Sequence, residues 1–224
     1  MRVLGLDIST SCVGVAIVED GEPVVVGAVK LSHIDDLFDR ASAALNAVLT
    51  ACATRGVVDA IFVEESLQAF RPGMSTANTI CSLAKMNGLL SFLVKTALSV
   101  GVEYVSAQTA RKLCRVKTSR GEPVKKQVFK QITASVLSGW TIPTKRNSAE
   151  YADAALDACD ALVIALAGCE IISARSGGVA SAHARHPDRL GSAVAAATTV
   201  WTRGSLEIWK GSLCEVSISV VPIS

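Results

Sequence analysis

The chain has 224 residues, half of them hydrophobic, with 4% aromatic residues and a formal net charge of +2. This length suits one domain with an extension, or two small domains, and the core must be built mainly from Ala, Val, Leu and Ile. So slight a charge excludes binding to nucleic acid through overall basicity; any such affinity has to come from a local patch.

The opening "MRVLGLDI" is apolar and rich in β-branched residues, which predicts a strand. A Ser-Thr-Ser turn leads to "CVGVAIVED", and "EDGE" (19–22) predicts a hairpin with Gly21 at its tip. "PVVVGAVKL" (23–31) completes an expected antiparallel meander of three strands. The period then changes. Ile34, Leu37, Phe38, Ala41, Leu45, Val48, Leu49 and Cys52 recur at helical spacing, with Ser32 as the expected N-cap and Gly56 as the stop. "VDAIFVEE" (58–65) predicts a short buried strand, 75–99 a long helix ended by Gly101, "VEYVSA" (102–107) a fifth strand and 108–114 a short helix. Pro123 is placed to open a helix reaching about residue 138, and a last clear helix is expected from Ala149 to Gly168. The order predicts an α/β fold, with helices on both sides of a mixed sheet. From Ser173 onward the text is small, polar and basic without a steady period. Residues 173–224 are therefore expected to be an extension outside the core, partly disordered, with "SLCEVSISVVPIS" as a strand or a tail.

Asp7 interrupts the apolar stretch after Arg2, so the opening is not expected to be a signal peptide. No apolar run reaches about 18 residues without a charge, so no membrane span is expected. Cysteines stand at 12, 52, 81, 114, 159, 169 and 214, with no CxxC pair and no histidine at zinc-ligand spacing, which predicts reduced, mostly buried thiols in an intracellular protein. His33, His183 and His186 are expected at the surface, without a catalytic role. Trp201 and Trp209, near Arg203 and Lys210, could stack on nucleic acid, but packing is the plainer role.

Several carboxylates lie where a charge is costly. Asp7 ends a strand that must be central if the meander exists, although it could simply accept hydrogen bonds from the Ser9–Ser11 turn. Glu64 and Glu65 end the next apolar strand, and alternation lets only one of them face the same side as Asp7. In "ALDACDALVIALAG" (155–168), Asp157 and Asp160 share one helix face, and Asp153 continues the stripe. A solvated acidic edge is one explanation. The flanking Ala154, Ala155, Ala158 and Ala161 suggest instead that another element approaches closely. Carboxylates that converge need a cation, and an oxygen-only set favours magnesium or manganese. A carboxylate site that holds two such ions is a device for cleaving phosphodiesters.

The basic stretch "RKLCRVKTSRGEPVKK" (111–126) holds seven Lys or Arg against one Glu. It could be an ordinary solvated loop. Beside a phosphate-handling site, Arg111, Lys112, Arg115, Lys117, Arg120, Lys125 and Lys126 become candidates for contact with a DNA backbone, around a turn expected to be flexible at "TSRGEP".

These segments carry a resemblance. "LGLDISTSCVGVAIVED" resembles the first motif of RuvC-type nucleases of the RNase H-like superfamily, and "AIFVEESLQAF" their second, with Glu64 at the acidic position. "ALDACDALVIALAGC" resembles the last motif of RuvC Holliday-junction resolvases, and "ARKLCRVKTSRGEPVKKQVFKQI" resembles their basic segment, with Lys125 and the pair Gln127-Val128 matching. The likeness runs through about residues 1–170, and four motifs in order are fairly specific. It implies a five-stranded mixed sheet flanked by helices, with 1–172 as the nuclease domain. It implies Asp7, Glu64, Asp157 and Asp160 as a catalytic tetrad holding two Mg²⁺ per subunit (or Mn²⁺ as a substitute), with Lys125 close to the metals. It implies a homodimer that cuts a four-way DNA junction symmetrically, in a cytoplasmic, organellar or viral setting. A junction-wedging aromatic is expected soon after the second motif. Leu67 holds the matching position, so Phe70 is the candidate. The basic segment is more charged and poorer in glycine than in the bacterial family, which points to a divergent branch, viral, phage or organellar.

Other assignments stay open at this point. The first hairpin also resembles the phosphate-binding hairpin of sugar kinases and actin-like ATPases, which need a duplicated domain, and of a related tRNA-modification partner protein, whose glycine-rich signature is missing here. A non-cleaving binder of branched DNA and a transposon-type or RNA-guided RuvC domain are further possibilities.

Overall fold

The computed structural model describes residues 1–53, 56–66, 76–142, 153–177, 209–211 and 214–220; Gly177 and the last two segments are described by backbone alone. Strands β1 (Arg2–Ile8), β2 (Cys12–Glu19) and β3 (Glu22–Lys30) form the meander, followed by α1 (Leu37–Ala53), β4 (Ala60–Glu64), α2 (Ala77–Leu98), β5 (Val102–Val105), α3 (Ala107–Leu113), α4 (Val124–Ser135) and α5 (Asp153–Gly177). Two further strands are β6 (Trp209–Gly211) and β7 (Cys214–Val220). The sheet order is β5-β4-β1-β2-β3-β7-β6. β4 and β5 run parallel to β1, while β2, β3 and β7 alternate antiparallel, so the predicted five-stranded mixed sheet is present and β7 and β6 continue it beyond β3.

Alternation along the strands sorts the core into two layers. Leu4, Leu6, Val13, Val15, Ile17, Ile61 and Val63 face α1 and α2. Val3, Ala16, Val18 and Phe62 face α3, α4 and α5. Each fully buried Leu, Ile or Val contributes roughly 1.5–3 kcal/mol relative to exposure. The hairpin turn places Asp20 (φ 51°) and Gly21 (φ 90°) both in the left-handed region, the conformation a tight two-residue hairpin requires.

The long helix α5 lies across β1, β2 and β3, and at Gly5 and Gly14 its main chain comes directly against the strands with no side chain between. A Cβ on Gly5 would fall on the carbonyl oxygen of Ala161 and 2.5 Å from the Ala165 nitrogen. One on Gly14 would fall on the carbonyl oxygen of Asp157 and 2.7 Å from its carbonyl carbon. The small residues noted on the helix, together with Gly5 and Gly14 on the strands, are thus what close contact requires.

Several expected boundaries differ. Gly168 does not end the last helix, which continues to Gly177. Its missing side chain is needed instead by the Phe62 ring, whose Cε2 lies 2.8 Å from where a Cβ would sit. The long helix before β5 is closed by Ser99 in the left-handed conformation (φ 56°), not by Gly101. At the start of α1 it is Asp36, not Ser32, that accepts the free amides: its Oδ1 takes hydrogen bonds from Phe38 N (2.7 Å) and Asp39 N (3.1 Å). The expected helix start at Ala149 and the sequence between residue 177 and β6, with His183, His186, Trp201 and Arg203, fall outside the described residues. Among the described cysteines, Cys12, Cys52, Cys159 and Cys169 are buried, Cys114 is half-buried and Cys81 exposed, all as free thiols. No helix among the described residues is long and apolar enough to cross a membrane.

Candidate metal centre and basic loop

The parity that sorts the core also aims the acidic groups. On β1, Val3 and Gly5 face α5, so Asp7 does as well. On β4, Phe62 faces that side and Glu64 follows it two residues on. The intervening Ile61 and Val63 point to α1 and α2, and Glu65 is in phase with them. The side chain of Asn87, buried on α2, donates to the Glu64 carbonyl at 3.0 Å and pins the end of β4. Asn87 escaped sequence analysis because a single Asn in an apolar helix carries no positional signal.

α5 supplies the other two carboxylates from one face. Asp7, Asp157 and Asp160 each offer an oxygen, and these atoms lie within 4.8 Å of one another. Their side chains are only 11, 19 and 13% exposed, so water does little to screen them. Lys125, in the first turn of α4, supplies the compensating charge: its Nζ lies 2.6 Å from Asp157 Oδ1, 3.3 Å from Asp7 Oδ2 and 3.4 Å from Asp160 Oδ2. Glu64 is not part of the three-oxygen group, though it is near enough for Asp7 and Asp160 to act on it. Asp153 stands exposed at the start of α5. The simpler role considered for Asp7, closing the Ser9–Ser11 turn, is filled by Ser9, which donates to the Cys12 carbonyl at 2.7 Å and accepts from the Cys12 amide at 3.0 Å.

Electrostatics follow from the crowding. Burial raises the Asp7 carboxyl; Lys125 opposes this and Asp157 adds to it. Burial, then Asp7 and Asp160, push Glu64 up to about 8, against Lys125 and Arg111. Burial and Asp7 push Asp160 up to about 6, against Lys125. Desolvation works against the Lys125 ammonium, but Asp7, Asp157 and Asp160 outweigh it and raise its pKa. A carboxyl whose pKa is raised by folding holds its proton more tightly in the folded state. Its stabilising contribution is complete below the unfolded value near 4 and is lost as pH climbs through the folded value. The metal-free protein is therefore expected to lose stability between about pH 5 and 8 through Glu64 and Asp160. Urea unfolding in EDTA across that range should show a shallower loss for Glu64→Gln than for the parent; equal slopes would refute the assignment.

The residues fit a divalent cation. The donors are oxygen only, a set that favours magnesium or manganese over zinc. The ammonium in contact with all three aspartates shows that a positive charge is accommodated at this point.

The basic candidates lie on the same side of the sheet. Lys112, Arg115, Lys117, Arg120 and Lys126 are exposed, and Arg111 is half-buried, close enough to Glu64 to lower its pKa. The turn expected to be flexible is instead tied down: Gln127 and Gln131 of α4 bond to the main chain at Lys117, Ser119 and Glu122. Phe70 and Leu67 lie outside the described residues.

No family model matches the chain, and no curated protein sequence matches it. Among solved structures it is similar to Thermus thermophilus RuvC in complex with a Holliday junction substrate, with 20% identity and a TM-score of 0.52 over 79% of this chain and 96% of that one. It is also similar to a second structure of Thermus thermophilus RuvC (19% identity, TM-score 0.50, 79% and 97% covered). The yeast mitochondrial Holliday junction resolvase Ydc2 gives 14% identity and a TM-score of 0.48 over 78% and 81%. With the meander, the two parallel strands beside it and the helices on both faces, the chain has an RNase H-like α/β fold.

Proposed function

We propose that this protein is a metal-dependent endonuclease that resolves four-way DNA junctions by paired symmetric nicks, acting as a homodimer. The observation that carries the proposal is the convergence of Asp7, Asp157 and Asp160 within 4.8 Å around the Lys125 ammonium. Three acids taken from a central strand and a packed helix are too costly to bring together for stability alone. The RuvC structure with a junction substrate, on the same fold, supports the choice of DNA as substrate.

Asp7, Glu64, Asp157 and Asp160 would hold two Mg²⁺ ions per subunit, or Mn²⁺ in their place, which when bound supply an activated water and charge neutralisation at the leaving oxygen. The chain's own groups do the rest. Lys125 is placed to neutralise charge on the scissile phosphate. Lys112, Arg115, Lys117, Arg120 and Lys126, with Arg111 nearer the acids, track the DNA backbone and fix its register without reading sequence. Phe70 is proposed as the junction wedge. Residues 1–172 form the proposed nuclease domain, with 173–224 as its extension.

The test is cleavage of end-labelled four-way junction, flap and linear duplex side by side, with and without Mg²⁺. Paired nicks at symmetric positions in the junction, leaving ligatable 5′-phosphate and 3′-hydroxyl ends, are expected. Equal cutting of duplex would reject junction resolution. No Mg²⁺-dependent cutting, together with binding of ATP, would favour the kinase-like alternative.

A further inference from the structure

The loop between α3 and α4 carries three of the exposed cations, yet its main chain is held by two side chains of one helix. Gln127 and Gln131 lie one turn apart on α4, so their amides point along the same face. Gln131 accepts from the Lys117 amide at 2.9 Å and donates to the Lys117 carbonyl at 2.6 Å. Gln127 accepts from the Ser119 amide at 2.7 Å, and donates to the Ser119 carbonyl at 2.9 Å and the Glu122 carbonyl at 2.7 Å. The two amides thus satisfy both main-chain groups of residues 117 and 119, alternate positions, as a neighbouring β-strand would. Lys130 fastens the far end through an ion pair to Glu122 at 2.6 Å.

Gln127 is buried, and a buried carboxamide is costly unless its bonding capacity is used. Its capacity here goes to the loop rather than to the helix or the core. The same helix carries Lys125 into the carboxylate group. One rigid element therefore fixes the position of the loop cations relative to the acids.

We propose that Gln127 and Gln131 are positioning residues that order the basic loop before DNA arrives, so that the loop and Lys125 engage one stretch of phosphate backbone as a unit. The inference rests on the nuclease assignment for the identity of the ligand, and on the hydrogen bonds alone for the ordering. Without the clamp, the ordering cost of the loop has to be met when DNA binds. The cations themselves would be unchanged, so the number of phosphates neutralised, and with it the salt dependence, stays the same.

The experiment compares the parent with Gln127→Leu and Gln131→Leu. Amide hydrogen exchange at Lys117 and Ser119, trypsin cleavage after Lys117 and Arg120, and four-way junction affinity as a function of salt are measured. Gln131 is only half-buried, so its variant tests the clamp even if Gln127→Leu fails to fold. The expected result is faster exchange, new tryptic cuts and junction binding weaker by about tenfold with an unchanged salt slope. Gln131→Glu keeps the acceptor for the Lys117 amide and loses the donor, so it should fall between the parent and Gln131→Leu. Persistent protection of Lys117 and Ser119, or an opened loop at parental affinity, would overturn the proposal while leaving the nuclease assignment in place. A parent protein that binds junctions but never cuts them would do the reverse.

Discussion

Asp7→Asn should lower junction cleavage by at least about a thousandfold, the scale seen when one member of an interdependent catalytic set is removed. Junction binding should stay within about threefold of the parent, because affinity for DNA comes chiefly from phosphate contacts made elsewhere. The substitution keeps the shape and removes one negative charge from a site where burial already disfavours it. The metal-free variant should therefore melt at a temperature no lower than the parent. Such an outcome would show that the fold carries Asp7 at a cost to itself, the usual signature of a group retained for activity. Single-turnover cleavage, junction binding in EDTA and thermal unfolding, all on the same preparation, check the three parts. Parental cleavage by Asp7→Asn would remove the metal-centre assignment. Loss of binding in step with loss of cleavage would mean that Asp7 shapes the DNA surface instead.

Much of this arrangement can be read from residue order because it depends on strict periods. Strand parity admits only one of Glu64 and Glu65 to the side of Asp7, and the register of β4 on β1 selects Glu64. The i, i+3 spacing of Asp157 and Asp160 puts both on one helix face, and the structure turns that face toward β1. What the sequence hides is the purpose of its small residues. Gly168 looks like a helix stop because glycine often is one, whereas here it is a notch for Phe62, a contact made across 106 positions of chain between two elements. Asp36 in place of Ser32, and Ser99 in place of Gly101, show a milder limit: several residues near a helix end can serve as cap, and only the path of the chain decides. Gln127 was legible as part of a motif and Gln131 was not singled out, and neither was legible as a clamp, since the loop groups they hold are main-chain atoms, which leave no mark on the sequence.

Gly14→Ala should damage the protein more than its single methyl suggests. Gly14 pairs directly with Asp7 across β1 and β2, and on its α5 side it meets the main chain of Asp157. A Cβ there would sit 2.7 Å from the Asp157 carbonyl carbon and 3.0 Å from the Ala161 Cβ, so backbone rather than a flexible side chain has to give way. Forced overpacking of this kind costs about 1–3 kcal/mol, and the upper end is expected here because a sheet and a helix must separate. The displacement acts on the site as well. Moving α5 outward by about 1 Å draws Asp157 and Asp160 away from Asp7, and a shift of that size is enough to cost about a hundredfold in rate. Stability and cleavage should therefore fall together, while Asp7→Asn loses cleavage alone. Gly88→Ala is the matched control: the same methyl is added in the interior of α2, where nothing lies within 4 Å, and should stabilise the protein by up to about 1 kcal/mol. Urea denaturation of both variants, with cleavage measured at a temperature where Gly14→Ala is still folded, separates the two effects. Full activity in a folded Gly14→Ala protein would show that the distance between β2 and α5 does not set the geometry of the acids.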